Sequence, residues 1–179
     1  MRNLAIVDVQ TLFLASREEY GPLARIDYVK LRSLLKQDTL DITDAVAYIL
    51  ASPYHDDRRF IRFLKKHGYI LIRKFAQLDI PRVASPANDT EESIKFKNRS
   101  WIDSMVWESI KMLPRYDHIY IVSGNGQFCT VVDAAHKNGK KVTVVSFKGS
   151  LQKELAAMAD NLITLDDKYI FDSSAFIKE

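Results

Sequence analysis

The run Ile119-Tyr-Ile-Val-Ser-Gly-Asn-Gly-Gln-Phe128 constrains the fold more than any other stretch of the chain. Its first half is continuously apolar or aromatic and rich in β-branched side chains, the pattern of a strand buried on both faces. It runs directly into a Ser-Gly-Asn-Gly-Gln turn. In open α/β sheets, a turn of this kind at the carboxyl end of a strand is where functional groups gather. The turn has amides rather than carboxylates at its two polar tips, Asn125 and Gln127.

The rest of the pattern supplies the sheet that such a strand needs. Leu4 to Val9 is a first buried strand, with Asp8 at its end. Gln10 to Glu19 reads as a helix, broken by Tyr20-Gly21-Pro22. Asp27 can cap a helix whose Tyr28, Leu31, Leu34 and Leu35 share one face. Asp44 to Leu50 and Tyr69 to Phe75 are further strands. Between them Arg58 to His67 is an amphipathic helix, with Phe60, Ile61, Phe63 and Leu64 turned inward and Gly68 as its stop. Residues 77–97 carry Pro81, Pro86, Asn88 and Asp89 and predict a long loop. A helix from Ser100 to Leu113, a strand from His118 to Val122, a helix from Thr130 to Asn138 and a strand over Lys141 to Phe147 follow. A helix over Ser150 to Ala159 and a strand over Asn161 to Leu165 complete the series.

Alternating strands and helices predict an α/β fold of Rossmann-like type, a parallel sheet with helices on both faces. Right-handed crossovers place the ends of the strands carrying Asp8 and Ser123 at one edge. The expected organisation is one domain over residues 1–166 and a C-terminal tail over 167–179, which Tyr169, Ile170, Phe171 and Phe176 can dock on the body. The length of 179 residues suits a single core. No apolar run reaches membrane-spanning length, and the single cysteine, Cys129, excludes an internal disulfide and a cysteine-rich zinc site. A cytoplasmic protein with no membrane contact is expected.

Candidate chemistry collects at the predicted edge. Asp8 ends the first strand, Asp103 lies in the first turn of the Ser100 helix, and Glu108 and Ser109 follow it. Asn125 and Gln127 occupy the turn. A strand-end carboxylate and a helix carboxylate can converge on one Mg²⁺, whose octahedron water and phosphate oxygens complete. A metal-bound water can attack a phosphodiester. Plainer roles exist for each residue: Asp8 and Asp103 as helix caps, Gly124 and Gly126 as turn formers, Asp160 as a brace for the last strand. The four histidines lack metal-ligand spacing. Gly124-Asn-Gly126 lacks the third glycine and the Lys-Ser/Thr of a nucleotide-phosphate loop, which weakens a flavodoxin-like small-molecule enzyme as an alternative.

The pieces Ile6-Val-Asp8-Val-Gln-Thr-Leu-Phe13, Arg25-Ile-Asp-Tyr-Val-Lys-Leu31, Asp44-Ala-Val-Ala-Tyr48, Phe63-Leu-Lys-Lys-His-Gly68, Ile102-Asp103, Asp117 to Phe128, Gly139-Lys-Lys-Val142 and Ala159-Asp160 follow one another in a recognisable order. Together, from about Leu4 to Leu165, they resemble the NYN domain family of the PIN-like nuclease superfamily. The resemblance implies a metal-dependent ribonuclease or RNA-processing scaffold. Asp8 and Asp103 would hold Mg²⁺ or Mn²⁺, and Asn125 and Gln127 would stand at the catalytic turn. Thr11, Ser123, Lys95, Lys97 and Arg99 would contact RNA.

The departures from the family pattern matter as much. Thr11 stands where the family has Asn, Ser109 where it has a further acid, and Asn125 and Gln127 where it has turn acids. The loss of charge implies that any divalent ion is weakly held. The expectation is therefore an RNA-directed protein with a reduced or impaired centre. The alternative is a non-catalytic scaffold, in either case with room for a homodimer or a protein partner. Two basic groups could form a phosphate-binding rim, one from Arg58 to His67 and one of Lys95, Lys97 and Arg99. Phe96, Trp101 or Trp107 could stack an unpaired base.

Overall fold

The structure, a computed structural model, describes residues 1–36, 42–51, 57–75 and 91–172; the side chains of residues 42, 75, 91–100 and 172 lie outside that description. In chain order the first elements are β1 (Arg2–Asp8), α1 (Val9–Tyr20), β2 (Ala24–Ile26), α2 (Tyr28–Leu34), β3 (Ile42–Ala51), α3 (Arg58–Lys66) and β4 (Tyr69–Phe75). There follow α4 (Glu91–Met112), β5 (His118–Val122), α5 (Cys129–Lys137), β6 (Lys141–Phe147), α6 (Lys153–Met158), β7 (Asn161–Leu165) and β8 (Ile170–Asp172). Short 3-10 turns precede β5, α5 and β8.

The central sheet has six strands in the order β4-β3-β1-β5-β6-β7, and every pairing is parallel. Its strands are apolar on both faces because helices cover both. Leu4, Ile6, Ile119, Ile121, Val142 and Val144 meet Met105 of α4, Val131 and Val132 of α5, and Leu155 of α6. Ala5, Val7, Ala45, Ala47 and Val145 meet Leu12 of α1, Leu31 of α2 and Leu64 of α3. Each fully buried Leu, Ile or Val here contributes roughly 1.5–3 kcal/mol of transfer free energy. The predicted α/β architecture and helix alternation are therefore present. Among the described residues no helix is long and apolar enough to cross a membrane.

The expected stops are also in place. Gly21, Gly68 and Gly139 adopt positive φ of 96°, 79° and 68°, directly after α1, near the end of α3 and after α5. Such backbone is disfavoured for any residue with a Cβ.

Three local expectations change. The irregular stretch placed at 77–97 gives way to helix at Glu91, so α4 begins nine residues before Ser100; residues 76–90 lie outside the described ones. Glu91 and Glu92 put two acids in the first turn, where the helix dipole favours them, and nothing from there to Met112 breaks the helix. Polar composition had disguised those turns as loop. The helix expected over Ser150 to Ala159 shortens to Lys153–Met158. The residues before it instead pack on the Ser123–Gln127 turn, as described below. Finally, β2 and β8 pair antiparallel, Ala24 with Asp172 and Ile26 with Ile170, and Tyr169 is buried in the core under α1 and α2. The segment after Asp166 thus continues the packed body as far as Asp172.

Candidate functional site

Asp8 closes β1 at the carboxyl edge, opposite Tyr48 of β3 on one side and one residue beyond the Val7–Val122 pair on the other. It is also the N-cap of α1. Its Oδ1 accepts the Thr11 N–H at 3.1 Å; its Oδ2 accepts the Thr11 hydroxyl at 2.5 Å and the Ser123 hydroxyl at 3.0 Å. An ionised carboxylate has about four acceptor positions. These three protein donors take most of them, and both positions on Oδ2. Asp8 is only 1% exposed. Burial pushes its carboxyl up from 3.8, and the hydrogen bonds from Thr11 and Ser123, with the nearby Gln10 N–H, offset only part of that.

The turn after β5 is built by its own side chains. The Asn125 N–H donates to the Ser123 hydroxyl at 3.2 Å, and Asn125 Oδ1 caps the following 3-10 turn by accepting the Gln127 N–H at 2.9 Å. Gln127 Oε1 is buried without a hydrogen-bond partner. Gln152, ahead of α6, clasps the turn twice. Its N–H donates to the Gly124 carbonyl at 3.0 Å, and its Oε1 accepts the Gly126 N–H at 3.0 Å. Neither glycine has positive φ. They are needed for close approach. A Cβ on Gly124 would lie 2.1 Å from the Ser150 carbonyl oxygen, and one on Gly126 would lie 2.4 Å from Gln152 Oε1.

The helix α4 supplies the third wall. Ser109 is fully buried, and its hydroxyl donates to the Met105 carbonyl at 2.7 Å. Tyr48 lies beside it, and burial holds its phenol up at about 12. Lys74, at the end of β4, bonds both Glu108 and Ser104 and ties β4 to α4. The charge of Glu108 is thereby neutralised within the fold.

The structure thus links Asp8, Thr11, Ser123, Asn125 and Gln127 through one chain of hydrogen bonds and a shared turn. Asp103 is outside that chain: it is exposed, and among the described residues it forms no hydrogen bond or ion pair. The side chains of Phe96, Lys95, Lys97 and Arg99 lie outside the described ones, although their backbone is helical. Trp101 is 7% exposed and packs edge-on against Tyr48, so its ring is not open for base stacking; Trp107 is 63% exposed. Asp160 is a brace. It accepts the Val142 N–H at 2.7 Å and pairs with His136 at 2.9 Å, and the Val142 bond chiefly lowers its carboxyl. Cys129 packs partly against the core, and burial raises its thiol. Sequence reading missed the Lys74–Glu108 tie and the Gln152 clasp. The signal for the first was Lys74, beside Arg73, in a strand that is otherwise apolar or aromatic; Gln152 gave none.

A parallel sheet flanked on both faces, with a strand-end Asp and a Ser-Gly turn at its carboxyl edge, fits a PIN-like nuclease scaffold, the class to which NYN domains belong. The NYN domain model matches residues 3–166, and the chain belongs to that family. Among solved structures, a protein of unknown function from Vibrio parahaemolyticus RIMD 2210633 is similar, with a TM-score of 0.74 and 24% identity over 95% of this chain and 96% of that one. At that identity the likeness shows the fold. Comparison with curated proteins gives no match.

NYN and PIN-like nucleases are generally dependent on divalent metal. The residues present do not fit such an ion. The one acid in the hydrogen-bonded network, Asp8, is buried and already accepts three hydrogen bonds from the protein. Ser109, Asn125 and Gln127 add no charge, and Glu108 is paired with Lys74. Among the described residues no group of three or more His, Cys, Asp or Glu side chains is arranged to hold a metal.

Proposed function

We propose that this NYN protein engages RNA at the carboxyl edge without hydrolysing it at an appreciable rate. Its scaffold is that of a ribonuclease, and its acidic centre has been converted into a structural cap. The buried, hydrogen-bonded carboxylate of Asp8 carries this reading. An acid that must bind a cation needs lone pairs facing the cleft, and here two hydroxyls and the Thr11 N–H hold Asp8 inside the fold at 1% exposure.

The family supports RNA as the ligand. Phosphate contacts would come from the Asn125 and Gln127 amide N–H₂ groups and from Lys95, Lys97 and Arg99. These three lie on the first turns of α4, ahead of the Ser104–Glu108 segment that Lys74 fixes at the strand ends. Asp103 would lie on the same rim. Mg²⁺ or Mn²⁺ would bind no tighter than the millimolar range, and the protein would act in the cytoplasm.

The test is incubation of labelled single-stranded and structured RNA with Mg²⁺, Mn²⁺ or EDTA, with Asp8→Asn protein alongside. Binding that is equal in EDTA, with no cleavage above the EDTA control, is the expected result. Mn²⁺-dependent cleavage that disappears in Asp8→Asn would overturn it.

A further inference from the structure

The helix α3 carries Arg58, Arg59, Arg62, Lys65 and Lys66 and no acid. The whole chain has a net charge of +3, so everything outside this helix is net acidic. The positive charge is therefore concentrated on one element, on the face of the sheet opposite α4. Positions 59, 62, 63, 66 and 67 follow i, i+3, i+4, i+7, i+8 spacing and form a single outward stripe. Arg59, Arg62 and Lys66 are exposed, and none forms an ion pair among the described residues. Between them lies an aromatic pair: Phe63, which turns outward where its sequence position predicts inward and is 38% exposed, with its ring centroid 4.5 Å from that of His67.

We infer that this stripe is a docking face for single-stranded RNA, with Arg59, Arg62 and Lys66 on phosphates and the Phe63–His67 pair under an unpaired base. The inference rests on the RNA reading above and places part of the binding energy away from the Asp8 turn. Cationic side chains interleaved with an exposed ring are what sequence-tolerant single-strand binding requires. Nine residues at about 1.5 Å rise span roughly 13 Å, enough for the three cations to meet successive phosphates of one strand. A lipid surface is the poorer match for the same charges. Membrane-surface helices insert their apolar face, and here Phe60, Ile61 and Leu64 are already committed to the core.

Fluorescence anisotropy with a short labelled single-stranded RNA across a salt series tests this. The variants are Arg59→Gln/Arg62→Gln/Lys66→Gln, which removes the charges, and Phe63→Leu, which keeps the packing and removes the ring. The triple variant should bind about tenfold or more weakly at low salt. Its slope of log K against log salt should fall by about 2, from roughly 0.7 per phosphate released. Phe63→Leu should lose about fivefold on single strands, with its salt slope and its affinity for duplex RNA unchanged. Thermal melts of both variants should match the parent, since the altered groups face solvent. If the parent binds and the triple variant matches it in affinity and slope at every salt, the docking face is wrong and the RNA reading stands. If the parent binds no RNA, both fall. Binding to phosphatidylserine vesicles in preference to RNA, lost in the triple variant, would assign the stripe to a membrane instead.

Discussion

Substituting Asp8 separates a structural cap from a metal ligand, because the two roles predict opposite signs of stability change. A carboxylate kept for a cation sits among other acids, and removing it from the metal-free protein relieves repulsion. Asp8 instead accepts the Thr11 N–H and the Thr11 and Ser123 hydroxyls. Asp8→Ala removes an N-cap, at about 1 kcal/mol. It also leaves buried donors unmatched, at about 1–3 kcal/mol for a group that finds no other partner. The hydroxyls can rotate and the buried charge is gone, so the net loss is about 2–4 kcal/mol. For a chain of this size that lowers Tm by roughly 5–15 °C.

Asp8→Asn should behave differently. Asn caps as well as Asp. Its Oδ1 can keep the Thr11 N–H, and its N–H₂ can donate to the two hydroxyls once they turn to accept. The change should stay within about 1 kcal/mol. Thermal and urea melts of the three proteins, with and without Mn²⁺, provide the assay. An Asp8→Ala protein as stable as the parent would refute the cap.

The pH dependence has a defined sign. The folded pKa of Asp8 lies above its unfolded value of 3.8, so the folded state binds the proton more tightly. The parent should therefore gain stability relative to Asp8→Asn as pH falls from that raised value towards 3.8, and the difference should be constant above it. A gap that moves the other way would mean that hydrogen bonds to the ionised form outweigh burial.

Two further outcomes follow. Asn125→Asp with Gln127→Asp should tighten Mn²⁺ binding measured by calorimetry, since an Asp at 125 can keep the cap on the Gln127 N–H while adding charge; no gain would contradict the role given to the amides. Gly124→Ala should destabilise by about 2–3 kcal/mol in urea melts, because the new Cβ meets Ser150 backbone rather than a movable side chain; a neutral result would mean that the turn is looser than the packing implies.

The central sheet was legible because parallel strands buried on both faces leave continuous apolar or aromatic runs, as in Leu4 to Val7 and Ile119 to Val122. What escaped depended on partners distant in sequence. Ala24-Arg25-Ile26 has no strand signature of its own; it is a strand because Ile170 to Asp172 pairs with it. The first turns of α4 lack an apolar stripe, so periodicity did not reveal them. At the site, the meeting of Asp8 and Ser123 followed from strand polarity alone. The rotamer of Thr11, which turns a candidate ligand into a hydrogen-bonded cap, leaves no trace in sequence. The phase of α4 is a similar case. Asp103 and Ser109 are both plausible site positions by spacing. Packing of Trp101, Met105 and Ser109 on the core leaves Asp103 exposed.

The turn shows why a family pattern can outlast its chemistry. Gly124 and Gly126 are held by the Ser150–Gln152 segment, Phe128 is fully buried, and Ser123 bonds Asp8. Of these, Ser123, Gly124 and Phe128 match the family turn, and each is required by packing or hydrogen bonding whether or not an ion is present. The acids are the separable part. At position 125 an amide oxygen accepts the same N–H that a carboxylate would, without the cost of bringing like charges together. Charge can thus leave such a turn with no loss of fold and some gain in stability. What selection for RNA contact would then retain is the basic surface, and the most concentrated basic surface described here is on α3, away from the altered turn.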